Sequence, residues 1–205
     1  MKVIKPSFVI EEGIDGEEML RKIERRGRVC YKSEDKITPD SARVLVKALI
    51  KRGHESVLEH EKVTVTIVCD RGVTHEIVRH RIGSYSQEST RYCNYSGDGI
   101  TVIEPLFFDK GSIKYQDWSD AMIFCEQVYE NLIGNGASPQ EARTVLPNSL
   151  KTEIVVTYNL REWRHFFKLR TAKAAHPQMR EITIPLLAEF KKLIPVIFDD
   201  IFAEE

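Results

Sequence analysis

The apolar and polar positions of the chain predict a mixture of strands and helices. Residues 63 to 69, VTVTIVC, alternate in polarity and are rich in β-branched side chains, a pattern that is typical of a strand. The segments ITVIEP at 100 to 105 and KTEIVVTYN at 151 to 159 have the same character, and Pro105 would end the first of them. The pattern therefore predicts three strands.

The first half of the chain predicts three helices. Asp15, with an acidic residue three positions later, opens a helix that Gly27 closes. Thr38-Pro39 opens the second, SARVLVKALIKR, and Gly53 lies past its end. Residues 73 to about 81, VTHEIVRHR, form the third helix, which leads directly into a polar segment.

Two more helices are expected before the strand at 151. One lies within residues 112 to 133. Ser138 and Glu141 have the spacing of a capping box, with a proline in the first turn, and they start a short helix that ends near Pro147.

The last part of the chain predicts two further helices. Asn159 caps LREWRHFFKLR, residues 160 to 170. Residues 177 to 203 are predicted to be helical, with breaks or kinks at Pro185 and Pro195. Helices and strands do not alternate as they would in a doubly wound sheet, so the sequence predicts an α+β fold in a single domain that covers residues 1 to 205.

Composition and charge exclude several classes of partner. The formal net charge is -1, so nothing favours a nucleic-acid coat or a membrane-surface binder, and no run of eighteen apolar residues could span a membrane. Four cysteines, at positions 30, 69, 93 and 125, have neither C-x-x-C nor zinc-finger spacing. Free thiols and the absence of a signal-peptide pattern in MKVIKPSFVIEEG predict a cytoplasmic location.

The segment RHRIGSYSQESTRY, residues 79 to 92, carries the strongest local signal for a ligand. Arg79, His80 and Arg81 cannot share one helix face, because neighbouring side chains diverge by about 100°. Hydroxyl, amide and carboxyl groups dominate the ten residues that follow. The composition predicts a phosphate- or nucleotide-binding loop, with a solvated basic loop as the alternative.

Two other segments carry candidate chemistry. In GHESVLEH, residues 53 to 60, His54 and His60 would point about 240° apart on a helix, so no shared metal is expected. Either polar contacts or local capping explain this segment. In the helix at 160 to 170, Arg170 falls on the apolar stripe, where its guanidinium needs a ligand, a salt-bridge partner or a path to solvent. The opposite face has Arg161, His165 and Lys168.

Four ordered blocks resemble one protein family. Arg79-His80-Arg81, seven residues and then Ser89 match R-H-R-x7-S, the signature of flavin-dependent thymidylate synthases, and the match continues through Thr90-Arg91-Tyr92. The others are His54-Glu55-Ser56 with Glu59-His60, ARTVLP at 142 to 147, and N-x-R-x-x-x-H-F-F-x-L-R from Asn159 to Arg170. No G-x-G-x-x-G or P-loop motif is present, which is consistent with a flavin pocket unrelated to the Rossmann fold.

The resemblance implies a reaction and an assembly. Members of the family transfer a methyl group to C5 of dUMP and give dTMP. The carbon comes from 5,10-methylenetetrahydrofolate, the hydride from reduced FAD, and NADPH reduces the flavin. The family fold is a single α+β domain with a central, mainly antiparallel or mixed sheet flanked by helices. Its members are homotetramers with active sites between subunits, and no metal is used.

The resemblance also implies roles for individual residues. The implied FAD contacts are His54, Ser56, Arg79, His80, Arg81, Gln87, Asn159, Arg161 and His165. The implied dUMP contacts are Glu76, Arg79, Gln87, Glu88, Ser89, Thr90, Arg91, Arg143 and Arg170. Arg170 is also the implied catalytic residue, because a permanent positive charge stabilises the negative charge that develops on the uracil ring.

Two positions leave questions open. Ser89 has no base in sequence that would activate it, so nucleotide binding is favoured over nucleophilic attack. Many relatives have His-Ala-Gln shortly after the catalytic arginine, whereas this chain has Ala174-Ala175-His176-Pro177-Gln178, and His176 is the candidate replacement. Two alternative functions are a nucleotide-binding regulatory module without catalysis and a metal-dependent nucleotide hydrolase.

Overall fold

The computed structural model describes residues 1–11 and 13–203. Within these residues the strands are β1 (Lys2–Ile4), β2 (Ser7–Ile10), β3 (Lys62–Asp70), β4 (Ser84–Gln87), β5 (Thr101–Ile103) and β6 (Lys151–Asn159). The α-helices are α1 (Gly16–Val29), α2 (Ser41–Lys51), α3 (Arg71–Ile77), α4 (Ile113–Gly134), α5 (Pro139–Ala142), α6 (Leu160–Arg170) and α7 (Pro177–Leu193). Short 3-10 turns cover Glu34–Lys36, Glu55–His60 and Arg143–Val145. The predicted α+β fold class is confirmed.

The strands form two sheets. β1 pairs in parallel with β5, with Lys2 opposite Thr101 and Ile4 opposite Ile103. The other sheet has four strands in the order β2-β3-β6-β4. Every second residue of β6 from Thr152 to Tyr158 is buried, as expected when one face of a strand packs on a core. β3 lies between two neighbours and is buried over most of its length.

Contacts within the chain divide it into two compact units. Unit 1 comprises Met1–Phe8, Thr66–Arg79 and Tyr85–Val155. Unit 2 comprises Val9–Val65, His80–Ser84 and Val156–Glu205. The boundary therefore falls between Arg79 and His80, inside the basic segment. A single domain over residues 1 to 205 stays a prediction.

Unit 2 has an aromatic core built on α6. Trp163 stacks on Phe167 with 5.5 Å between ring centroids and lies 4.9 Å from Phe190. The indole nitrogen of Trp163 donates to the carbonyl oxygen of Val63 at 3.0 Å, so its polar atom is satisfied inside the core. Each of these fully buried rings contributes on the order of 2 kcal/mol by leaving water. This packing fixes the orientation of α6, which carries several candidate site residues.

Unit 1 has a smaller apolar core. Ile100, Val102, Met122 and Leu150 are buried together, with Trp118 packed against them. The indole nitrogen of Trp118 donates to Ser149 Oγ at 3.1 Å. Because Leu150 directly precedes β6, the core fixes the start of the strand that supports the candidate residues of this unit.

Three predicted helix caps are confirmed. Asp15 accepts a hydrogen bond from the Glu18 backbone at 2.9 Å, and Asn159 Oδ1 accepts from the Glu162 backbone at 2.8 Å. Ser138 and Glu141 form the full capping box of α5. These positions were predictable because a cap depends on residues only a few positions apart.

Two helix ends in the first half were predicted wrongly. Gly27 does not close α1 but lies buried inside it, and the cost of a helical glycine, about 1 kcal/mol, is offset by burial. Helix α2 begins at Ser41 rather than at Pro39. The Ser41 hydroxyl accepts from the Thr38 backbone at 2.8 Å and donates to Glu24 Oε2 at 2.9 Å, which holds residues 38 to 41 in a turn.

Helix α3 is displaced toward the N-terminus relative to its predicted range. The Asp70 carboxylate caps it by accepting from the Val73 backbone at 2.8 Å, and the helix ends at Ile77 rather than near 81. Further along the chain, Ser84–Gln87 form strand β4, which the sequence did not predict. Strands β1 and β2 were also not predicted. All three are three or four residues long, too short for a periodicity signal.

The C-terminal prediction is partly wrong. Pro185 does not break α7, which continues to Leu193. Residues 195 to 203 were predicted to be helical, but they form no helix. Pro195 lies just beyond the helix end, where its missing N–H costs nothing. Among the described residues, no helix combines the length and the apolar character needed to cross a membrane.

Candidate active site

The basic segment places its charges in different directions. Arg79 and Arg81 are exposed, whereas His80 is only 5% exposed and turns into unit 2. Gly83 makes this course possible, because a Cβ at that position would lie 2.3 Å from the ring of Tyr158. Gly83 therefore lies against Tyr158 near the end of β6, while the Arg81 side chain is exposed.

His80 is hydrogen-bonded through both ring nitrogens. Its Nδ1 lies 3.0 Å from Glu162 Oε1, and its Nε2 accepts from Arg170 Nε at 3.1 Å. The ring of Phe166 packs edge-on against the imidazole with 4.9 Å between centroids, and the ring of His165 lies at 5.5 Å. The imidazole is thus held by one carboxylate, one guanidinium and neighbouring rings, which include that of Tyr158 at 6.1 Å.

The surroundings of His80 favour the neutral form of its ring. Burial lowers its pKa below the ordinary value of 6.5, and the nearby charge of Arg170 lowers it further. The hydrogen bond to Glu162 acts in the opposite direction but does not outweigh these effects. A protonated ring would have no lone pair to accept from Arg170.

Arg170 has the partner that its position requires. Leu160, Trp163 and Phe167 of the predicted apolar stripe are fully buried, and Arg170 at the end of α6 is half-buried. Its Nε donates a hydrogen bond to the imidazole of His80 at 3.1 Å. Its charge is therefore oriented by His80 without being neutralised by that contact.

The opposite face of α6 is exposed, as predicted. Arg161, His165 and Lys168 all reach solvent. Arg161 Nη1 donates to Glu59 Oε1 at 2.5 Å, which brings it to the turn Glu55–His60. The carboxamide oxygen of Asn159 caps α6, so its proposed flavin contact would have to use other atoms or follow a rearrangement.

A cleft in unit 2 brings together three residues of the implied flavin set. His54, Ser56 and Arg161 line a space of about 420 Å³, together with Gly53, Cys30 and Tyr31. His54 and Ser56 are exposed at the start of the 3-10 turn. Gly53, with φ of 73°, adopts a left-handed conformation that allows the chain to reverse after α2. A hydroxyl, an imidazole and a guanidinium on one cleft suit a phosphate group.

Arg164 supports this cleft, and sequence reasoning missed it. The side chain is 1% exposed and donates to Glu55 Oε1 at 3.1 and 3.2 Å, to both Asp200 carboxylate oxygens, and to the Ile197 carbonyl oxygen. The guanidinium lowers the pKa of Asp200 below its usual range through their hydrogen bond. Because Glu55 begins the turn, the buried arginine anchors the segment that carries Ser56. Its partners lie far away in sequence, so no local pattern could have identified them.

Unit 1 holds most of the implied nucleotide-binding residues. Glu76, Arg79, Gln87, Glu88, Ser89, Thr90, Arg91 and Arg143 all belong to this unit. The Gln87 carboxamide donates to Thr74 Oγ1 at 3.0 Å and to Thr152 Oγ1 at 3.3 Å, which fixes the end of β4. Arg143 is exposed on its 3-10 turn.

Glu88 is held by two donors in unit 1. The Tyr95 hydroxyl donates to Glu88 Oε1 and the Lys151 ammonium to Glu88 Oε2, each at 2.8 Å. Burial, followed by the bond to Glu88, raises the pKa of Tyr95, so the phenol keeps the proton that it donates. These two hydrogen bonds fix the Glu88 side chain at the start of the loop that follows it.

The loop after Glu88 is organised by its own hydrogen bonds. Ser89 Oγ accepts from the Arg91 backbone at 3.3 Å, and Arg91 Nε donates to Gln140 Oε1 at 3.1 Å. Thr90 is buried and Ser89 half-buried. Their contacts with a nucleotide stay a prediction.

Arg71, in unit 1, is a second residue that sequence reasoning missed. One terminal nitrogen of its guanidinium is buried and has no hydrogen-bond partner within the described residues. Its charge reaches Tyr95, where it opposes the rise in the pKa of the phenol. A buried donor without an acceptor costs roughly 1–3 kcal/mol, so this nitrogen is suited to an anionic ligand.

Within the described residues, one group of side chains has the geometry of a metal site, but its surroundings oppose a cation. Ligand atoms of His80, Glu162 and His165 lie within 4.8 Å of one another. The guanidinium of Arg170 donates to the same imidazole, and a fixed positive charge at that place opposes the binding of a cation. The sequence analysis predicted that His54 and His60 share no metal, and neither of these residues belongs to this cluster.

The structure describes the surroundings of the cysteines and of the changed histidine motif. All four cysteines are free thiols, and burial raises the pKa of Cys69, which makes that thiol unreactive. Ala174 is exposed, and His176 is the N-cap residue of α7 in front of Pro177. Whether His176 replaces the histidine of relatives stays a prediction.

Comparison with known proteins identifies the family. The family model described as "Thymidylate synthase complementing protein" matches residues 14–196. A protein of Geobacter sulfurreducens is 36% identical over 180 residues, which cover 84% of this chain and 78% of the relative. One of Pyrococcus abyssi is 37% identical over 171 residues, which cover 80% and 70%. Both relatives bear the name flavin-dependent thymidylate synthase.

A solved structure agrees in fold. The UMP/dUMP methylase PolB from Streptomyces cacaoi, bound with 5-Br dUMP, superimposes with a TM-score of 0.82 over 97% of this chain and 96% of its own. At 22% identity this likeness establishes the fold alone. The sequence matches go further: the chain belongs to the Thy1 family of thymidylate synthase complementing proteins.

The pH dependence of stability should report the charge of His80. Because its pKa is lowered on folding, the unfolded chain takes up a proton more readily than the folded one. The stability that the neutral ring contributes is present above about pH 6.5 and is lost as the pH falls through the lowered pKa. Urea unfolding from about pH 8 to 5 should therefore show a falling free energy.

Two variants test the source of this decrease. His80→Gln should flatten the decrease below about pH 6.5, because the amide does not titrate. The matched change His165→Gln, at an exposed histidine, should leave most of it in place. An unchanged decrease in the His80→Gln protein would contradict the assignment.

Proposed function

We propose that this protein is a flavin-dependent thymidylate synthase that converts dUMP to dTMP. The carbon donor is 5,10-methylenetetrahydrofolate, which leaves as tetrahydrofolate, and NADPH reduces the FAD. The observation that carries the proposal is the half-buried guanidinium of Arg170, oriented by a neutral His80. Membership of the family supports the reaction class.

The cleft of unit 2 fits one end of FAD. Its volume, about 420 Å³, is in the range of small-molecule sites, and His54, Ser56 and Arg161 provide donors for a phosphate group. His80, Arg81, Asn159 and His165 complete the proposed flavin set in this unit, and Arg79 and Gln87 in unit 1. The bound flavin would supply the hydride for the reductive methylation.

The nucleotide is proposed to bind residues of unit 1. Gln87, Glu88, Ser89, Thr90 and Arg91 form the proposed loop, with Glu76, Arg79 and Arg143 as further contacts. Arginine side chains hold a phosphate through paired hydrogen bonds, and the amide and hydroxyl groups suit the polar edge of a pyrimidine. The buried nitrogen of Arg71 adds a donor that the loop itself does not satisfy.

Arg170 is the proposed catalytic residue. Activation of C5 of uracil shifts negative charge onto N3 and the ring oxygens. A guanidinium stabilises that charge without giving up a proton, and a fixed orientation avoids the cost of turning it during the reaction. Since His80 accepts from Nε, it constrains the plane of the guanidinium relative to α6.

The remaining parts of the proposal concern assembly and location. A homotetramer with active sites between subunits, and dUMP, folate and NADPH as its small-molecule partners, follow from the family resemblance. The cytoplasmic location indicated by cysteine usage stays a prediction.

The first test is the flavin itself. We expect the purified protein to be yellow, or to become so when FAD is added, because the proposal assigns the cofactor to the residues that line the cleft. Release of tritium from C5-labelled dUMP should then require both NADPH and the folate. Failure to bind FAD would contradict the proposal, whereas binding of dUMP without tritium release would favour a regulatory module without catalysis.

A conservative change at Arg170 separates catalysis from cofactor binding. Arg170→Lys replaces an oriented planar group with a point charge, so kcat should fall by about 100-fold or more while the Kd for FAD changes much less. Arg25→Lys, the same change on an exposed residue of α1 that pairs with Glu18, is the matched control. Equal losses of turnover and of FAD affinity would mean that Arg170 is structural.

The role of Ser89 can be decided by removing its hydroxyl. If the group binds the nucleotide, Ser89→Ala should raise the KM for dUMP by roughly 10-fold and leave kcat within a few-fold of the original. Steady-state assays at saturating folate and NADPH measure both constants. Complete loss of turnover with unchanged dUMP binding would instead indicate a nucleophile.

A further inference from the structure

Glu162 has a second task besides its place in the first turn of α6. Its backbone N–H is satisfied by the Asn159 cap at 2.8 Å. Its carboxylate, in a residue only 7% exposed, meets His80 Nδ1 at 3.0 Å. A buried carboxylate facing an imidazole across 82 positions of sequence requires an explanation that helix capping does not provide.

The donors and acceptors around His80 allow one tautomer. Arginine can only donate, so the Nε2 atom that accepts from Arg170 carries no proton. A neutral imidazole carries a single proton, so that proton lies on Nδ1, which faces Glu162 Oε1 at 3.0 Å. The opposite tautomer would set an N–H against the guanidinium and a lone pair against the carboxylate.

We propose that Glu162 is a positioning residue that selects the Nδ1–H tautomer of His80 and thereby orients the Arg170 guanidinium. The reaction that benefits rests on the proposed function. Glu162 touches neither substrate nor cofactor in this scheme and acts through the imidazole alone. The arrangement resembles the way in which a carboxylate fixes the tautomer of a metal-bound or catalytic histidine, with a guanidinium in place of the metal or nucleophile.

Protonation of His80 would undo the arrangement. A doubly protonated ring offers no acceptor to Arg170 and places a second positive charge beside it. The ring contacts Glu162, His165 and Arg170, and the aromatic rings of Tyr158 and Phe166 pack near it. Of these, the carboxylate is the acceptor that holds the proton on Nδ1.

Nitrogen-15 NMR of the histidine side chains tests the proposal directly. In the ligand-free protein at about pH 8, where an ordinary histidine is neutral, the His80 ring should carry its proton on Nδ1 and none on Nε2. The His80→Gln variant assigns the signal by its loss. A ring protonated on Nε2, or an even mixture of tautomers, would overturn the proposal.

Glu162→Gln tests which residue selects the tautomer. The amide keeps the size of the side chain, but it can either accept from or donate to Nδ1, so a population with the proton on Nε2 should appear. Glu189→Gln, the same change at an exposed residue of α7, should leave the spectrum of His80 unchanged. Should the first variant not fold, Glu162→Asp keeps the negative charge and should retain the Nδ1–H form. An unchanged tautomer in Glu162→Gln would overturn the proposal.

A double-mutant cycle tests the link to turnover. Glu162→Gln should lower kcat by about 10- to 100-fold, the effect of losing a charged hydrogen bond, with a smaller change in FAD affinity. In a His80→Gln background the new amide oxygen accepts from Arg170 without any tautomer, so the Glu162 change should have little further effect. Equal losses in both backgrounds would show that Glu162 acts independently of His80, and would overturn the proposal.

The NMR experiments and the turnover assays distinguish failure of the positioning role from failure of the proposed function. If the protein has no synthase activity, the proposed function is wrong, but the NMR result still decides whether Glu162 selects the tautomer. If turnover is present and the His80 tautomer does not depend on Glu162, the proposed function stands and the positioning role is rejected.

Discussion

The pair of hydrogen bonds on the His80 ring is the constraint on which the candidate site depends. They join a loop residue to two positions of α6 that are 82 and 90 residues away in sequence. Helix α6 is itself fixed by the aromatic core around Trp163. Packing therefore sets the position of α6, and the imidazole orients the guanidinium of Arg170. The positive charge of Arg170 thus lies at the end of a packed helix rather than on a loop.

Much of this site could be predicted from sequence, because its parts are carried by local patterns. The apolar spacing of α6 placed Arg170 correctly on the buried stripe, and Asn159 correctly at the cap. The partner of Arg170 could not be predicted, since helical periodicity says nothing about a residue in a distant loop. The group that accepts from Arg170 Nε is the His80 ring, and the Glu162 carboxylate contacts the other nitrogen of that ring.

The errors in the fold have related causes. Strands β1, β2 and β4 are short, and their pairing with distant strands, rather than their own composition, makes them extended. The ion pairs of the buried Arg164 with Glu55 and Asp200 also join segments that are remote in sequence. Gly27 was wrongly predicted to end α1, because its burial inside the helix offsets its low helix propensity. Pro185 lies within α7, which continues past it to Leu193.

Gly83 sets a limit on how this loop could be redesigned. The exposed side chains beside it, such as Ile82, could be randomised in a combinatorial library at little cost to folding. Any side chain at position 83 would push the chain off the Tyr158 ring and carry His80 with it. An engineer who wishes to alter ligand preference should therefore keep this glycine fixed and diversify around it.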